Sequence, residues 1–449
     1  GVLVATLSKD PAEGSALTVT GNASFDDGAK LRLRLTDIAQ AEGTYTVISA
    51  GTLTGAADLD SDVTLVPFMY DALLDVDQAA GLVLVDIERK ATEELGLSRA
   101  QAETYDALYV ALAEDDDVAG VFLDITKEEA FRAAVAQTLP DHAGGAFDGL
   151  SLGIRTFARR LANPEGPIER EGKLRIVADF AGWDSGKDEG DTAQYDLEGL
   201  GFSGGAELAT GLGTIGATAT WLWNRHDTLA DNNVIANAYE GALYWRGTWG
   251  AFSGFARGSY SFADFDGARY FTGTSGGETV SRTMDGEWSG NATSFIAGIS
   301  VEGGSQYFFV RPSVTIDYVR LSEDGYAETG GEALDLTIEE RTSDELAVNL
   351  GSAVGFDLIG MSRRDTNWLR IEAEGGWREI LSGELGATTA RFGDGDSFTL
   401  TPEQRSSGWF ARLRGVGGDA SYTIAGELSA EERNERIGYA LRASIRFSM

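Results

Sequence analysis

From about residue 172 to Met449 the sequence alternates apolar and polar residues, one short segment after another. In Leu174-Arg175-Ile176-Val177-Ala178-Asp179-Phe180 the even positions are apolar, and in Ile215 to Trp223 the odd ones are. A period of two places one set of side chains on each face of a β-strand. Twelve such strands are predicted, near 172–184, 195–209, 213–225, 236–249, 251–266, 285–303, 307–321, 341–357, 368–392, 406–416, 421–430 and 436–448. An even number suits a closed up-and-down barrel, and closure removes both open edges. Some joins are tight, as at Trp249-Gly250-Ala251 and Gly415 to Asp419. Others are long and polar, as from Asp266 to Asp285 and from Ser322 to Arg341. Short turns at one rim and long loops at the other are features of a membrane β-barrel.

A soluble β-sandwich also alternates, so the company of the charges decides. The polar phase carries both signs: Lys173, Arg175 and Asp179; Glu240 and Arg246; Arg311 and Asp317; Arg370, Glu372, Glu374 and Arg378; Arg412 and Arg414; Arg442 and Arg446. A wet lumen accommodates them while the apolar phase meets lipid. Trp221, Trp223, Trp249, Phe271, Tyr318, Trp377 and Trp409 near strand ends are expected to form interfacial girdles. No apolar run approaches the ~18 residues of a membrane helix. The chain begins at Gly1, without an initiator Met or signal peptide, and reads as the later portion of a longer precursor.

The formal net charge of -35 argues against a nucleic-acid partner, which needs a basic surface facing phosphates. The absence of cysteine excludes disulfides, thiol catalysis and thiolate metal sites.

Ahead of the barrel the texture changes twice. Residues 1–90 hold short β-like runs at Leu17–Thr20, Leu31–Leu35, Tyr45–Ile48 and Leu82–Ile87, spaced as in a parallel β-helix or stacked strands. Residues 91–165 are rich in helix formers. Ser98 is predicted as an N-cap, and Thr126-Lys127-Glu128-Glu129 has the form of a capping box. After the break at Leu139-Pro140 a helix is predicted from about Gly145 to Ala162. Phe147, Leu150, Ile154, Phe157 and Leu161 form its apolar stripe, with Arg155, Arg159 and Arg160 off it.

Three motifs point elsewhere and are set aside. Gly211-Leu212-Gly213-Thr214-Ile215-Gly216 matches a dinucleotide fingerprint, but a strand follows it where a helix is required. Gly395-Asp396-Ser397-Phe398 is similar to an esterase nucleophile block, yet His142 and His226, the only histidines, have no catalytic context. Glu114 to Asp117 and Asp394-Gly395-Asp396 lack the offsets of a calcium loop and read as solvated acidic turns. No enzyme activity, cofactor or metal is expected.

The order of segments resembles the C-terminal region of a type Va autotransporter, pertactin-like before the barrel, over essentially the whole chain. Gly43 to Gly55 is similar to the family's late-passenger segment, Gly81 to Ile87 to its last passenger strand, and Leu139-Pro140 with the following helix to the part entering the barrel. Gly438 to Met449 is similar to the assembly signal of outer-membrane barrels. The resemblance implies a mainly β fold: a 12-stranded antiparallel transmembrane barrel with a lumenal α-helix, preceded by short helices and a β-helix-like segment. It divides the chain into a passenger end (1–90), a helical linker (91–165) and a translocator (166–449). It makes Phe147, Leu150, Ile154, Arg155, Phe157, Arg159, Arg160 and Leu161 the pore helix. Gly438, Tyr439, Leu441, Ile445, Phe447 and Met449 become the assembly signal. The implied partners are outer-membrane lipid, the barrel assembly machinery, periplasmic chaperones and the chain's own passenger, with the protein a monomer in the outer membrane of a Gram-negative bacterium and its N-terminal part at the surface. The alternative is a stand-alone porin with a periplasmic N-terminal domain. The sequence departs from the family by ending in Met449 instead of an aromatic. It also lacks, in the helix, the Asn-Asn pair at which some members cut themselves; Asn232-Asn233 lies in a barrel loop.

Overall fold

A computed structural model describes residues 1–7, 14–38, 41–59, 66–163, 173–228, 232–305, 307–359 and 367–449. Twelve antiparallel strands close into one barrel: β7 (Leu174–Lys187), β8 (Tyr195–Thr210), β9 (Gly213–Thr228), β10 (Asn233–Trp249), β11 (Phe252–Ser275), β12 (Glu278–Val301), β13 (Phe308–Glu323), β14 (Arg341–Asp357), β15 (Trp368–Ser382), β16 (Gly408–Gly418), β17 (Tyr422–Arg433) and β18 (Arg436–Ser448). Each pairs with its chain neighbours, and β18 closes on β7 with Phe447 opposite Ile176 and Ala443 opposite Phe180. Closure satisfies every ladder without an edge, the condition for strands in lipid. The alternation does what its period requires. Along β18 Tyr439, Leu441 and Phe447 face outward, while Ala440, Arg442 and Arg446 are buried inside.

Before the barrel stand six strands: β1 (Val2–Leu7), β2 (Leu17–Ser24), β3 (Lys30–Leu35), β4 (Gly43–Thr54), β5 (Tyr70–Asp77) and β6 (Leu82–Arg89). β1 pairs parallel with β3 and β2 parallel with β4, whereas β4, β6 and β5 are antiparallel. Four helices follow: α1 (Arg99–Leu112), α2 (Asp116–Asp124), α3 (Glu128–Gln137) and α4 (Gly145–Ala158), the last continued by a 3-10 turn, Arg159–Ala162. Ser98 caps α1 as expected, with its Oγ accepting the Gln101 amide.

Several local expectations are corrected. The acidic run 114–117 is not a solvated turn: Asp115 caps α2, accepting the amides of Asp117 and Val118, and pairs with Arg282. Lys127, one residue after Thr126, starts α3, so the expected capping box does not form. The stretch 266–285 is a two-stranded ribbon extending β11 and β12 beyond the barrel, with Phe271 opposite Arg282. It is strand because Phe271, Val280 and Met284 have a core to enter. They pack into one apolar cluster with residues of α1, α2, α3 and the N-terminal strands, so Phe271 is no interfacial girdle residue. The predicted strand 368–392 stops at Ser382; Thr388–Phe392 joins a four-stranded rim sheet with Tyr326–Ala327, Leu336–Ile338 and Phe398–Leu400. Lys173 is exposed, outside the lumen.

Candidate functional site: the helix inside the barrel

Every residue of α4 is buried, because the barrel encloses it. Its apolar stripe, Phe147, Leu150, Ile154, Phe157 and Leu161, shares a cluster with Ala181, Trp183 and Leu222 of the wall. Three glycines one turn apart bring the helix against that wall. A Cβ on Gly145 meets the His226 ring at 2.6 Å, on Gly149 Leu197 at 3.0 Å, and on Gly153 Trp183 at 2.9 Å. Interior glycine costs a helix about 1 kcal/mol relative to alanine; here it permits the close approach. The stripe was legible in the sequence, but the glycine face was not distinguishable from weak helix propensity.

The arginines off the stripe meet wall carboxylates. Arg155 Nη1 lies 2.9 Å from Glu431, and Arg159 Nε 3.0 Å from Glu427. Arg160 reaches Asp179 at 3.1 Å and Glu207 at 2.8 Å. Glu240, Glu372 and Glu374, the partners suggested by their inward phase, bind wall arginines instead: Arg257 at 2.6 Å, Arg311 at 2.6 Å and Arg412 at 3.2 Å. Sequence phase fixes which side a residue faces but not its height on the wall. The barrel uses arginine for such pairs because a guanidinium fork matches a carboxylate on two atoms. Arg378 does so with Asp317, at 2.7 and 2.8 Å.

Sequence reading passed over Asp148, an acid in the first turn of the buried helix. Tyr195 donates to it, Asn434 Nδ2 donates at 3.2 Å, and Arg433 lies 2.9 Å away. Its one signal was an ionisable residue between two stripe positions. At the barrel mouth Asp141 joins three elements: His226 Nε2 lies 3.0 Å from Oδ1, and Arg341 Nη2 lies 2.7 Å from Oδ2. Burial pushes the Asp141 carboxyl up, but the neighbouring His226 and Arg341 outweigh this and hold it well below the usual carboxylate range.

The remaining site residues run down β18 and just past it, from Gly438 and Tyr439 beside Asp184 and Ser185 near the rim of α1 to α3, to Phe447 and Met449 at the opposite rim. Phe447 and Met449 face outward there, and the Met449 amide bonds the Leu174 carbonyl at 2.8 Å. The dinucleotide-like glycines make the β8–β9 turn and the start of β9, and Ser397 lies in the turn between two rim strands, while the histidines bond Pro140, Ala193 and Asp141. Among the described residues no helix is long and apolar enough to cross a membrane, which says nothing of a barrel.

A closed 12-stranded barrel with lipid-facing apolar side chains and a chain threaded through its lumen defines an outer-membrane translocator. The family model "Autotransporter beta-domain" matches residues 177–431, more than half of the chain, and the protein belongs to this family. The translocator domain of the autotransporter NalP from Neisseria meningitidis is similar in structure, at 16% identity and TM-score 0.51, covering 67% of this chain and 98% of its own. The β domain of the Bordetella autotransporter BrkA aligns at 15% identity and TM-score 0.43, over 61% of this chain and 99% of its own. The AIDA-I transport unit of Escherichia coli aligns at 11% and 0.41, over 67% and 99%. A search of curated proteins found no match.

Proposed function

We propose that the barrel anchors this chain in the outer membrane and that the residues ahead of it were exported through the lumen and are displayed at the cell surface. Residues 1–90 are then the end of a passenger, 91–165 the linker, and 166–449 the translocator. One observation carries the reading: the N-terminal unit and the first and last barrel residues occupy opposite rims. Helices α2 and α3 pack on the β11–β12 ribbon, at the rim with the long connections. The Met449–Leu174 bond lies at the other rim, with the short turns Gly211-Leu212 and Gly250-Ala251. In outer-membrane barrels the long loops face outward and the short turns face the periplasm. A chain that begins outside, crosses the lumen once and enters β7 from the periplasmic rim has the path of a self-exported polypeptide.

No nucleotide is available outside the cell, so folding of the emerging chain on the rim supplies direction. The parallel pairs β1–β3 and β2–β4 suit templated addition of strands. Periplasmic chaperones and the barrel assembly machinery are the partners this route requires, with outer-membrane lipid around a monomeric barrel. An epitope tag at Ser15 tests the topology: antibody and protease are expected to reach it on intact cells. Access only after the outer membrane is permeabilised supports a porin with a periplasmic N-terminal domain instead.

A further inference from the structure

The connection Thr401–Ser407, between the rim strand Phe398–Leu400 and β16, has its arginine inside the barrel mouth. Arg405 Nη1 lies 2.5 Å from Asp148 of α4, Nε contacts Glu345 of β14, and the guanidinium covers the Phe147 ring at 5.2 Å. Only 4% of this side chain is exposed. Burying a charge in a loop is costly unless the loop is held in place, because both ions lose their water and the backbone loses its freedom.

The fixings lie outside the barrel, and the principal ones belong to α1. Arg99 Nη2 donates to the Thr401 carbonyl at 2.9 Å and to the Pro402 carbonyl at 3.3 Å. Glu103, one turn further along the same face, accepts the Thr401 amide at 2.8 Å. Two side chains of one helix thus grip both backbone polar groups of Thr401. Glu403 adds a tie to the β7–β8 connection, lying 2.9 Å from Lys187 and accepting the Thr192 amide at 2.7 Å.

We propose that Thr401–Ser407 is a strap that closes the barrel mouth over α4, and that docking of α1 on the rim holds it closed. While α1 is absent from the rim, Thr401 lacks both of its α1 partners and Arg405 swings out of the mouth. Once α1 is seated, Arg405 locks onto Asp148. Resting on the export reading, this makes folding of the segment ahead of the barrel the event that seals the barrel behind it.

The chain has no cysteine, so a single Ser406→Cys reports the strap without background. Full-length protein in detergent is labelled with a bulky maleimide, and its conductance is read in planar bilayers. Arg99→Ala/Glu103→Ala removes the grip from the α1 side. Thr401→Pro removes the strap's amide donor and leaves α1 untouched, which keeps the test valid if the double variant weakens α1. Both are expected to speed labelling by about tenfold or more, the scale of one lost charge-assisted hydrogen bond. Both are expected to raise conductance to that of Arg405→Ala, and combining them with Arg405→Ala is expected to add nothing. Parent-like labelling and conductance in both grip variants, with Arg405→Ala open, would show that the barrel alone holds the strap. A parent-like Arg405→Ala would show that the segment closes nothing. The bilayer measurement is indifferent to which side of the membrane the N-terminal unit occupies, so failure of the export reading appears only in the Ser15 tag.

Discussion

Arg160, in the last turn of the enclosed helix, donates to Glu207 of β8 at 2.8 Å, and this one carboxylate also serves three wall groups. Arg246 donates to it at 2.7 Å and Tyr244 at 2.8 Å, while Arg446 of the closing strand lies 3.2 Å away. Glu207 therefore ties the helix, the early wall and the C-terminal strand together at one level of the barrel. Glu207→Ala leaves three buried arginines short of a partner. A loss of about 3–5 kcal/mol, the cost of breaking a buried pair from one side, is expected. It is measured as a lower temperature for the gel-mobility change of the barrel. Arg159→Ala is expected to cost less, because Glu427 keeps Arg442 at 3.1 Å.

The glycine face of α4 predicts a steric result. Gly153→Leu places a side chain against Trp183, where even a Cβ meets the ring at 2.9 Å. The barrel is expected to assemble with the helix displaced, giving a higher conductance than the parent. Deleting 145–163 is expected to raise it further, and conductance unchanged by that deletion would rule out the helix as the plug.

At the rim, Phe271 is fully buried and stacks on Phe122 of α2, with ring centres 6.0 Å apart. Phe271→Ala is expected to cost the docked unit about 3–5 kcal/mol. The barrel should keep its heat-modifiable mobility while limited proteolysis removes the N-terminal unit faster. Equal proteolysis would mean that the shared core contributes little.

The C-terminal strand gives a prediction about assembly. Phe447 faces outward and is paired with Tyr422 and Ile176. Phe447→Asp, or loss of 447–449, is expected to stop outer-membrane insertion and leave the chain to periplasmic degradation. Met449→Phe is expected to insert normally, since it puts an aromatic on the same face. A normal barrel in membrane fractions after loss of the three residues would remove the assembly role from this segment.

His142 is expected to make the barrel mouth sensitive to pH, because its ring bridges the Pro140 carbonyl and the Ala193 amide. The Pro140 carbonyl, 2.7 Å from Nδ1, can only accept, and the Ala193 amide, 3.3 Å from Nε2, can only donate. The ring is therefore neutral, with its proton on Nδ1. Burial pushes its pKa down, and the nearby Arg341 and Lys187 add to this against the Pro140 bond and Asp141. A base whose folded pKa is depressed favours the folded state above its unfolded value, ~6.5, and that contribution falls as pH drops below it. Acidification from about pH 7 to 5 is expected to lower the protection of the Ala193 amide relative to its intrinsic exchange rate at each pH, and His142→Asn should flatten that dependence.

The sequence by itself determined the parts governed by local period. Alternation over 172–449 set the barrel, its strand number and its inward phase, because a strand can bury only every second side chain. The spacing of Phe147, Leu150, Ile154, Phe157 and Leu161 set the helix and its apolar face for the same kind of reason. What lies between elements was decided by tertiary structure. Nothing local to 266–285 says that Phe271 and Met284 have a core to enter, so polar residues there read as loop although they form strand. Nothing local to Arg155, Arg159 or Arg160 says which carboxylate stands at their level, since that depends on strand stagger and on how far the glycine face lets the helix approach. Asp148 and Arg405 are 257 positions apart in sequence; only the closed barrel, with a helix already inside it, brings them together.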